Sequence, residues 1–390
     1  MRIAVSGYIG PRKTGIGVVT ENILKSLLTM NTNGDDFIIF CNSDTELSLE
    51  PNEHLKIIPY FVSKNSSLGN LFWMLFIYPL RCMQIRADLS IIPNVTCLLF
   101  KSCPTIVIIH DLIEFKVPKK FSRLRMLYRR LAVPLTARRS NRIVTDSWSS
   151  KHDIVNELGI AEEKVDVIYP GVRPDNLRNA GQISVPPTAA RIPLPEEYLL
   201  YLGTIDHPGK NGIALIKAYE RLTPELKERL HVVYAGKPGP GFEHIEQEIQ
   251  RCGIQDRVTF LGFVSEESLP QLYGNCKVFI FPSRYEGFGL PVVEAMQWGA
   301  PVITARNSSL IEAAGDAGIL LDADDFDSMA AAIERICRDA SYRSDLIARG
   351  RQHAARFSWD AGARQWMQLI ELFRRPDSKS GHSGNLGRNQ

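Results

Sequence analysis

Short apolar runs alternate with amphipathic stretches along nearly the whole chain, and the series is run through twice. Candidate strands in the first half are Arg2–Ser6, Phe37–Cys41, Lys56–Pro59, Leu89–Ile92, Thr105–Ile109, Arg142–Thr145 and Val165–Ile168. The second half offers Tyr198–Leu202, His231–Ala235, Val258–Leu261, Val278–Phe281 and Pro301–Thr304. Helical spacing between such runs is the mark of parallel α/β architecture. With 390 residues the chain can bury two cores. The expectation is two Rossmann-like, doubly wound domains whose strand ends face a cleft. The first spans 1–175 and the second 198–357, joined by a linker at 176–197. The linker lies in a stretch, Gly171–Glu197, rich in Pro, Gly, Asn and Ala and without periodicity. A last helical pattern, Ser358–Phe373, opens on Ser358 as N-cap and is expected to pack back on the first domain. The tail 376–390 lacks apolar anchors and is expected to be disordered.

Charge narrows the function. The formal net charge of +3 argues against a dedicated nucleic-acid binder. The balance is uneven: residues 1–174 carry 22 Lys and Arg against 16 Asp and Glu, leaving 24 against 27 in the remainder. Seven scattered cysteines without a C-x-x-C pair read as reduced core thiols. Met1–Ser6 already has a buried-strand pattern, so no signal peptide is expected. Leu71–Leu80, the most apolar stretch, is too short to span a bilayer. The expected location is cytoplasmic, or peripheral on the inner face of the cell membrane.

Three segments carry chemistry. The loop Gly10-Pro-Arg-Lys-Thr-Gly15-Ile-Gly17 joins the first strand to its helix, and its glycines let main-chain N–H groups approach a phosphate or sugar. The second strand set opens with Tyr198-Leu-Leu-Tyr-Leu-Gly203, and Lys210 follows just before a helix. A lysine there can neutralise a diphosphate that the helix dipole also attracts. The third segment is Pro282-Ser-Arg-Tyr-Glu286-Gly287-Phe288-Gly289-Leu290-Pro291-Val-Val-Glu294. A strand ends, a small-residue turn follows, and a helix opens with proline in its first turn, which makes an anion site from main-chain N–H groups. Glu286 lies in the turn, where it can accept hydrogen bonds from sugar hydroxyls. Glu294 lies about one turn inside the helix, placed to accept from a second hydroxyl pair such as a ribose.

Taken together, these segments resemble the retaining glycosyltransferases of the GT-B fold called family four, or group 1, whose signature is E-x7-E. The resemblance extends over nearly the whole chain. Besides Glu286 to Glu294 it takes in Gly15 and Gly17, His110-Asp111-Leu112, Thr145-Asp-Ser147, Ile168-Tyr-Pro-Gly-Val172, Gly203-Thr, Lys210-Asn211, Leu261-Gly262-Phe-Val264 and Gly299-Ala-Pro-Val302. It implies that Glu286 and the main chain of Gly287, Phe288, Gly289 and Leu290 hold the donor sugar and phosphates. By the same resemblance Glu294 binds the ribose, Lys210 the diphosphate and Val264 the base, with Gly203 beside them. Gly15 and Gly17 approach the phosphate from the other domain, and His110 lies near the sugar as positive charge develops there. His110, Lys210 and Glu286 are the catalytic candidates. The chain departs from the family at His207-Pro-Gly-Lys210-Asn211, where members often show Arg-Lys-Asn. His207, Arg284 and Lys13 are the candidates for the missing cation.

Other features have competing readings. His110 follows a buried strand at its carboxyl end, where ligands bind in such sheets, though a core histidine satisfied by a neighbour is the ordinary case. Glu114 reads as an acceptor-side base or a surface carboxylate. Cys97 and Cys103 suggest a redox pair or, more simply, core packing. Asp322-Ala-Asp324-Asp325 looks like a metal-binding D-x-D but precedes a helical pattern near Phe326, so capping is the better account and no metal is expected. Lys116–Arg142 holds ten Lys and Arg and no acid. It reads either as a solvated helix face or, through Arg123, Arg129 and Arg130, as a dock for anionic lipid, each basic residue contributing on the order of 1 kcal/mol. Leu71–Tyr78, with Phe72, Trp73 and Phe76, reads either as an added apolar wedge or, as the better account, as packing against the sheet.

The function expected is retaining, metal-independent sugar transfer from a nucleotide-sugar donor to a growing, lipid-linked or free, cell-surface polysaccharide. The donor is a substrate, and no cofactor is expected. Mannose from GDP-mannose stands first, with UDP- and dTDP-sugars behind it. The alternatives are a catalytically inactive homologue serving as partner subunit in a polysaccharide assembly complex, or a sugar-nucleotide epimerase of the same fold.

Overall fold

A computed structural model describes residues 1–7, 15–43, 47–62, 67–94, 98–117, 123–172 and 192–374. The Gly10–Thr14 part of the first loop with Lys13, Cys97, most of the linker and the tail lie outside these residues. The first sheet has strands β1 (Arg2–Ser6), β2 (Asp36–Asn42), β3 (Leu55–Tyr60), β4 (Leu89–Ile92), β5 (Thr105–Ile108), β6 (Arg142–Thr145) and β7 (Val165–Val167). Its order is β3-β2-β1-β4-β5-β6-β7, with every pair parallel. The second sheet has β8 (Tyr198–Leu202), β9 (His231–Ala235), β10 (Val258–Gly262), β11 (Val278–Phe281), β12 (Val302–Ala305) and β13 (Ile319–Leu321). Its order is β10-β9-β8-β11-β12-β13, again all parallel. In both sheets the strand order reverses beside the first strand, at β1/β4 and β8/β11, and crevices for ligands open at such switch points.

The period of two along the strands divides each core. Ile3, Val5, Ile39, Ile106, Ile108 and Val144 face one side of the first sheet, and Ala4, Ile38, Phe40, Val107 and Ile143 the other. Leu199, Tyr201, Val232 and Ile280 divide likewise from Leu200, Val233, Phe279 and Phe281. Helices cover both faces, so the strands read as continuous apolar runs rather than as alternating ones. β13 was not anticipated: it is a half-buried, three-residue edge strand, too short to show a period.

The last helix, Trp359–Glu371, starts where Ser358 Oγ accepts from the Ala361 amide at 3.1 Å. Its Trp366, Leu369 and Ile370 are buried against Ile3, Val5, Leu24 and Leu27 of the first domain. Burying each such side chain stabilises the fold by about 1.5–3 kcal/mol. Among the described residues no helix is long and apolar enough to cross a membrane.

Candidate active site

The turn after β11 is the centre of the site. Gly289 adopts φ +100° as the helix Leu290–Gln297 begins, and Pro291 occupies its first turn. A left-handed residue with a Cβ would be strained there, and that Cβ would also stand 2.6 Å from Leu310 Cδ2. Phe288 turns inward and is buried, its ring against Tyr169 and Phe357 at 5.6 and 5.2 Å. The main chain of Glu286 is held on both sides: its N–H donates to Ser308 Oγ at 3.2 Å, and its carbonyl accepts from Ser309 Oγ at 2.8 Å.

Lys210 reaches this turn from the loop after β8. Its ammonium pairs with the Glu286 carboxylate and lies 5.7 Å from the centre of the Phe281 ring. The loop is fixed by the buried Asp206 carboxylate, which accepts from the Lys210 amide, and by Asn211, whose Nδ2 donates to the Ala323 carbonyl at 2.8 Å. Gly203 follows β8 beneath the same Phe281 ring. Glu294 accepts from the buried Tyr273 hydroxyl at 3.3 Å, and Val264 and Leu290 pack on the core that Phe288 and Val293 share. The structure therefore brings Lys210, Glu286 and Gly203 together on one wall. Gly15 and Gly17 open the helix Gly15–Thr29 in the other domain.

That other wall presents His110, just past β5. Its Nδ1 is 2.6 Å from Asp146 Oδ2 and its Nε2 is 3.1 Å from the Pro93 carbonyl. Burial disfavours charge on the ring, but the charge and hydrogen bond of Asp146 outweigh it and raise the pKa above the ordinary imidazole value. Two acceptors on two ring nitrogens fit an imidazolium donating to both. The ring is thus engaged within its own domain, and the main-chain carbonyl is what reaches across: a Cβ on Gly287 would lie 2.5 Å from His110 O. Ser150 Oγ bridges the domains, 3.0 Å from the His110 carbonyl and 3.2 Å from that of Gly287. Ser147 Oγ donates to the Gly287 carbonyl at 2.7 Å, and the Tyr285 hydroxyl donates to Asp153 at 2.9 Å.

Of the proposed sources of the missing cation, neither Arg284 nor His207 supplies it. Arg284 makes a forked pair with Asp324 at 2.7 and 2.6 Å. Burial holds His207 below the usual imidazole range, so it is neutral at pH 7. Lys13 lies outside the described residues. The D-x-D look-alike is accounted for by local bonds: Asp325 Oδ1 accepts from the Ser328 amide at 3.0 Å and caps the helix Phe326–Arg338, while Asp324 takes Arg284.

Two readings of the basic stretch need correction. Arg129 turns toward the interior, while Arg130 stays exposed with its Nε tied to main chain. Arg129 pairs with Glu114 at 3.2 Å, and Arg130 donates to the Glu114 carbonyl at 3.2 Å. The reason is the Glu114 side chain, which is 0% exposed and needs a cation nearby. It is neither a surface carboxylate nor an open base, and burial pushes its pKa up. The side chain of Arg123 lies outside the described set. What the helix Arg123–Arg139 does turn outward is Leu124, 82% exposed, with Leu127 and Leu131. Of the suggested wedge, Trp73 is buried and stacks on Tyr60 at 3.8 Å, whereas Phe72 and Phe76 are exposed. Cys103 packs in the cluster that contains Cys82.

Sequence reasoning had marked Thr145-Asp-Ser147 only as a motif. The adjacency of β5 and β6 is what sets Asp146 against His110. Ser150, Tyr285 and Asp153 carried no signal, because their partners lie more than a hundred residues away.

Known proteins agree with this fold. The family described as "Glycosyl transferases group 1" matches residues 187–353, and "Glycosyltransferase Family 4" matches residues 13–176. The chain is 30% identical over 263 residues to the O-antigen chain mannosyltransferase B of Escherichia coli, covering 67% of this chain and 69% of that protein. It is 36% identical over 168 residues to the serotype-specific mannosyltransferase WbdA of Escherichia coli, covering 43% of this chain but only 20% of that one. In fold it is similar to Anabaena Alr3699/HepE, solved with UDP and glucose, with a TM-score of 0.69 at 20% identity over 95% of this chain and 100% of that chain. It is also similar to WaaG, a glycosyltransferase involved in lipopolysaccharide biosynthesis, with a TM-score of 0.72 at 15% identity over 95% and 99%. At such identities these two structures speak for the fold alone.

Proposed function

The chain belongs to the GT-B glycosyltransferases of the group 1, family four type, and we propose that it transfers mannose from GDP-mannose, with retention, to a growing cell-surface polysaccharide. The observation that carries this reading is the Lys210–Glu286 pair in the turn that the His110 carbonyl closes from the opposite domain. The mannosyltransferases that it resembles support the choice of sugar, and GDP is the nucleotide carried in the first-placed donor.

In this mechanism the bond from the anomeric carbon to the diphosphate breaks as positive charge grows on the sugar ring. Lys210 and the N–H groups at the start of the helix Leu290–Gln297 stabilise the departing diphosphate, in the role that a metal plays elsewhere. Glu286 accepts from sugar hydroxyls and Glu294 from the ribose. The His110 carbonyl lines the sugar pocket, held in place by the ring's bonds to Asp146 and Pro93 and by Ser150. Contact between the domains keeps water from the donor.

The acceptor in this reading is lipid-linked and the protein is peripheral at the membrane. Its support is the set of apolar side chains exposed on the first domain, Phe72, Phe76, Leu80 and Met83 together with Leu124, Leu127 and Leu131, beside the exposed Arg130.

The test is release of nucleotide from GDP-mannose, UDP-glucose and a dTDP-sugar by the purified protein, with Glu294→Ala and Lys210→Ala alongside. GDP-mannose is expected to be turned over fastest and both variants to be impaired. A preference for another donor would sink the mannose assignment, and unimpaired variants would sink the site.

A further inference from the structure

We infer that Glu312 is the positioning residue that latches the second domain, and with it the donor turn, onto the first. The inference rests on the transferase reading for its consequence but not for its geometry.

The helix Trp148–Leu158 of the first domain begins with its amides only partly satisfied from within. Ser147, its N-cap, accepts from the Ser150 amide at 3.0 Å. The two amides before that one, of Trp148 and Ser149, donate at 2.9 and 2.7 Å to the two carboxylate oxygens of Glu312, which belongs to the other domain. Tyr169 adds a third donor, its hydroxyl 2.9 Å from Glu312 Oε2. A helix start carries partial positive charge and orphan N–H groups, so a carboxylate there satisfies both. A helix usually finds such a cap in its own preceding turn. Here the cap comes from 164 residues away.

Glu312 also stands at the end of a short rigid path to the donor turn. It lies in the helix Leu310–Ala314, directly after the two serines that hold the Glu286 main chain on both sides. Leu310 of the same helix fills the space beneath Gly289. The Tyr169 ring, bonded to Glu312 by its hydroxyl, rests on Phe288. Drawing the Trp148–Leu158 helix away from Glu312 therefore disturbs a segment that grips residues 286, 288 and 289. Domain docking and the shape of the turn are one mechanical unit, and a donor that needs the turn formed is bound more tightly by the docked form.

The experiment compares wild type with Glu312→Ala, Glu312→Gln and Tyr169→Phe. Nucleotide release from GDP-mannose without acceptor gives KM and kcat, and small-angle scattering of the ligand-free proteins gives the radius of gyration. For Glu312→Ala a roughly tenfold rise in KM with kcat within about twofold is expected, as for loss of a docking bias. A larger radius of gyration should accompany it. Glu312→Gln keeps one carbonyl acceptor and should fall between, and Tyr169→Phe should shift KM in the same direction by less. An unchanged KM and radius in the variants, or a lowered kcat at constant KM, would overturn the latch, since the latter marks only a loss of folded protein. If wild type binds none of GDP-mannose, UDP-glucose and a dTDP-sugar, the transferase reading fails while the scattering comparison still decides the latch. If Glu312→Ala does not fold, Glu312→Gln and Tyr169→Phe decide it.

Discussion

The two domains share one architecture but finish their strands differently. In the second, Gly203 and Gly236 follow β8 and β9 and Gly262 ends β10, at φ +147°, +137° and +68°, and the donor turn ends on Gly289. The neighbouring strand ends touch through main chain: the Gly236 amide donates to the Gly262 carbonyl at 2.7 Å, and Gly203 to Ala235 at 2.9 Å. In the first domain the ends of β5 and β6 carry His110, Asp146 and Ser147: a side-chain bond joins His110 to Asp146, and Ser147 Oγ accepts from the Ser150 amide. One wall of the cleft is shaped by the absence of side chains and the other by their hydrogen bonds. The first kind of wall is damaged by adding an atom, the second by removing one.

Lys210 is the exception to the main-chain wall, and its replacement is the strongest test. Lys210→Ala should lower kcat/KM by about a thousandfold, roughly 4 kcal/mol, in line with loss of one preorganised charge stabiliser. A loss under tenfold in a donor-release assay would mean that main chain alone suffices. Next comes Gly236→Ala. Its Cβ would lie 1.8 Å from the Gly203 carbonyl oxygen, so a loss of about 3 kcal/mol or more in urea unfolding is expected. Gly287→Ala should leave stability closer to wild type yet cost about a hundredfold in kcat/KM, because its Cβ pushes on the His110 carbonyl and misplaces the reacting geometry. Equal damage to stability and activity would put Gly287 with Gly236 instead.

On the opposite wall, Ser150→Ala removes a hydroxyl and should cost about 1 kcal/mol. The smallest effect expected is a change of slope with pH. His110 has its pKa raised above 6.5 by Asp146 against the opposing effect of burial, so its contribution to stability is complete below that ordinary value and lost as pH rises through the folded value. Thermal melts of wild type should decline over that range, and those of Asp146→Asn should decline less. Parallel curves would remove the ion pair from the account.

Much of this architecture was legible because a parallel sheet covered on both faces writes itself as uninterrupted apolar runs. Tyr198–Leu202, His231–Ala235 and Val278–Phe281 have the expected bounds to the residue. The donor turn was legible for a local reason, since glycines, proline and both carboxylates fall within the nine residues from 286 to 294, shortly after a strand that ends at Phe281. The inward turn of Arg129 in the Arg123–Arg139 helix was not. The orientation of Arg129 depends on a single buried acid, Glu114, and nothing in its flanking sequence marks it as enclosed. The contacts of Glu312, Tyr285 and Ser150 were equally hidden. The relative placement of two domains leaves no periodic trace in either.

The return of the helix Trp359–Glu371 to the first domain bears on synthesis at the ribosome. Trp366, Leu369 and Ile370 close one face of the sheet that begins at Arg2. While the intervening residues emerge, that face stays wet, so the part made earliest is completed last. A nascent chain arrested before residue 359 should leave its leading half open to chaperones and proteases, even after the trailing half has packed its own core.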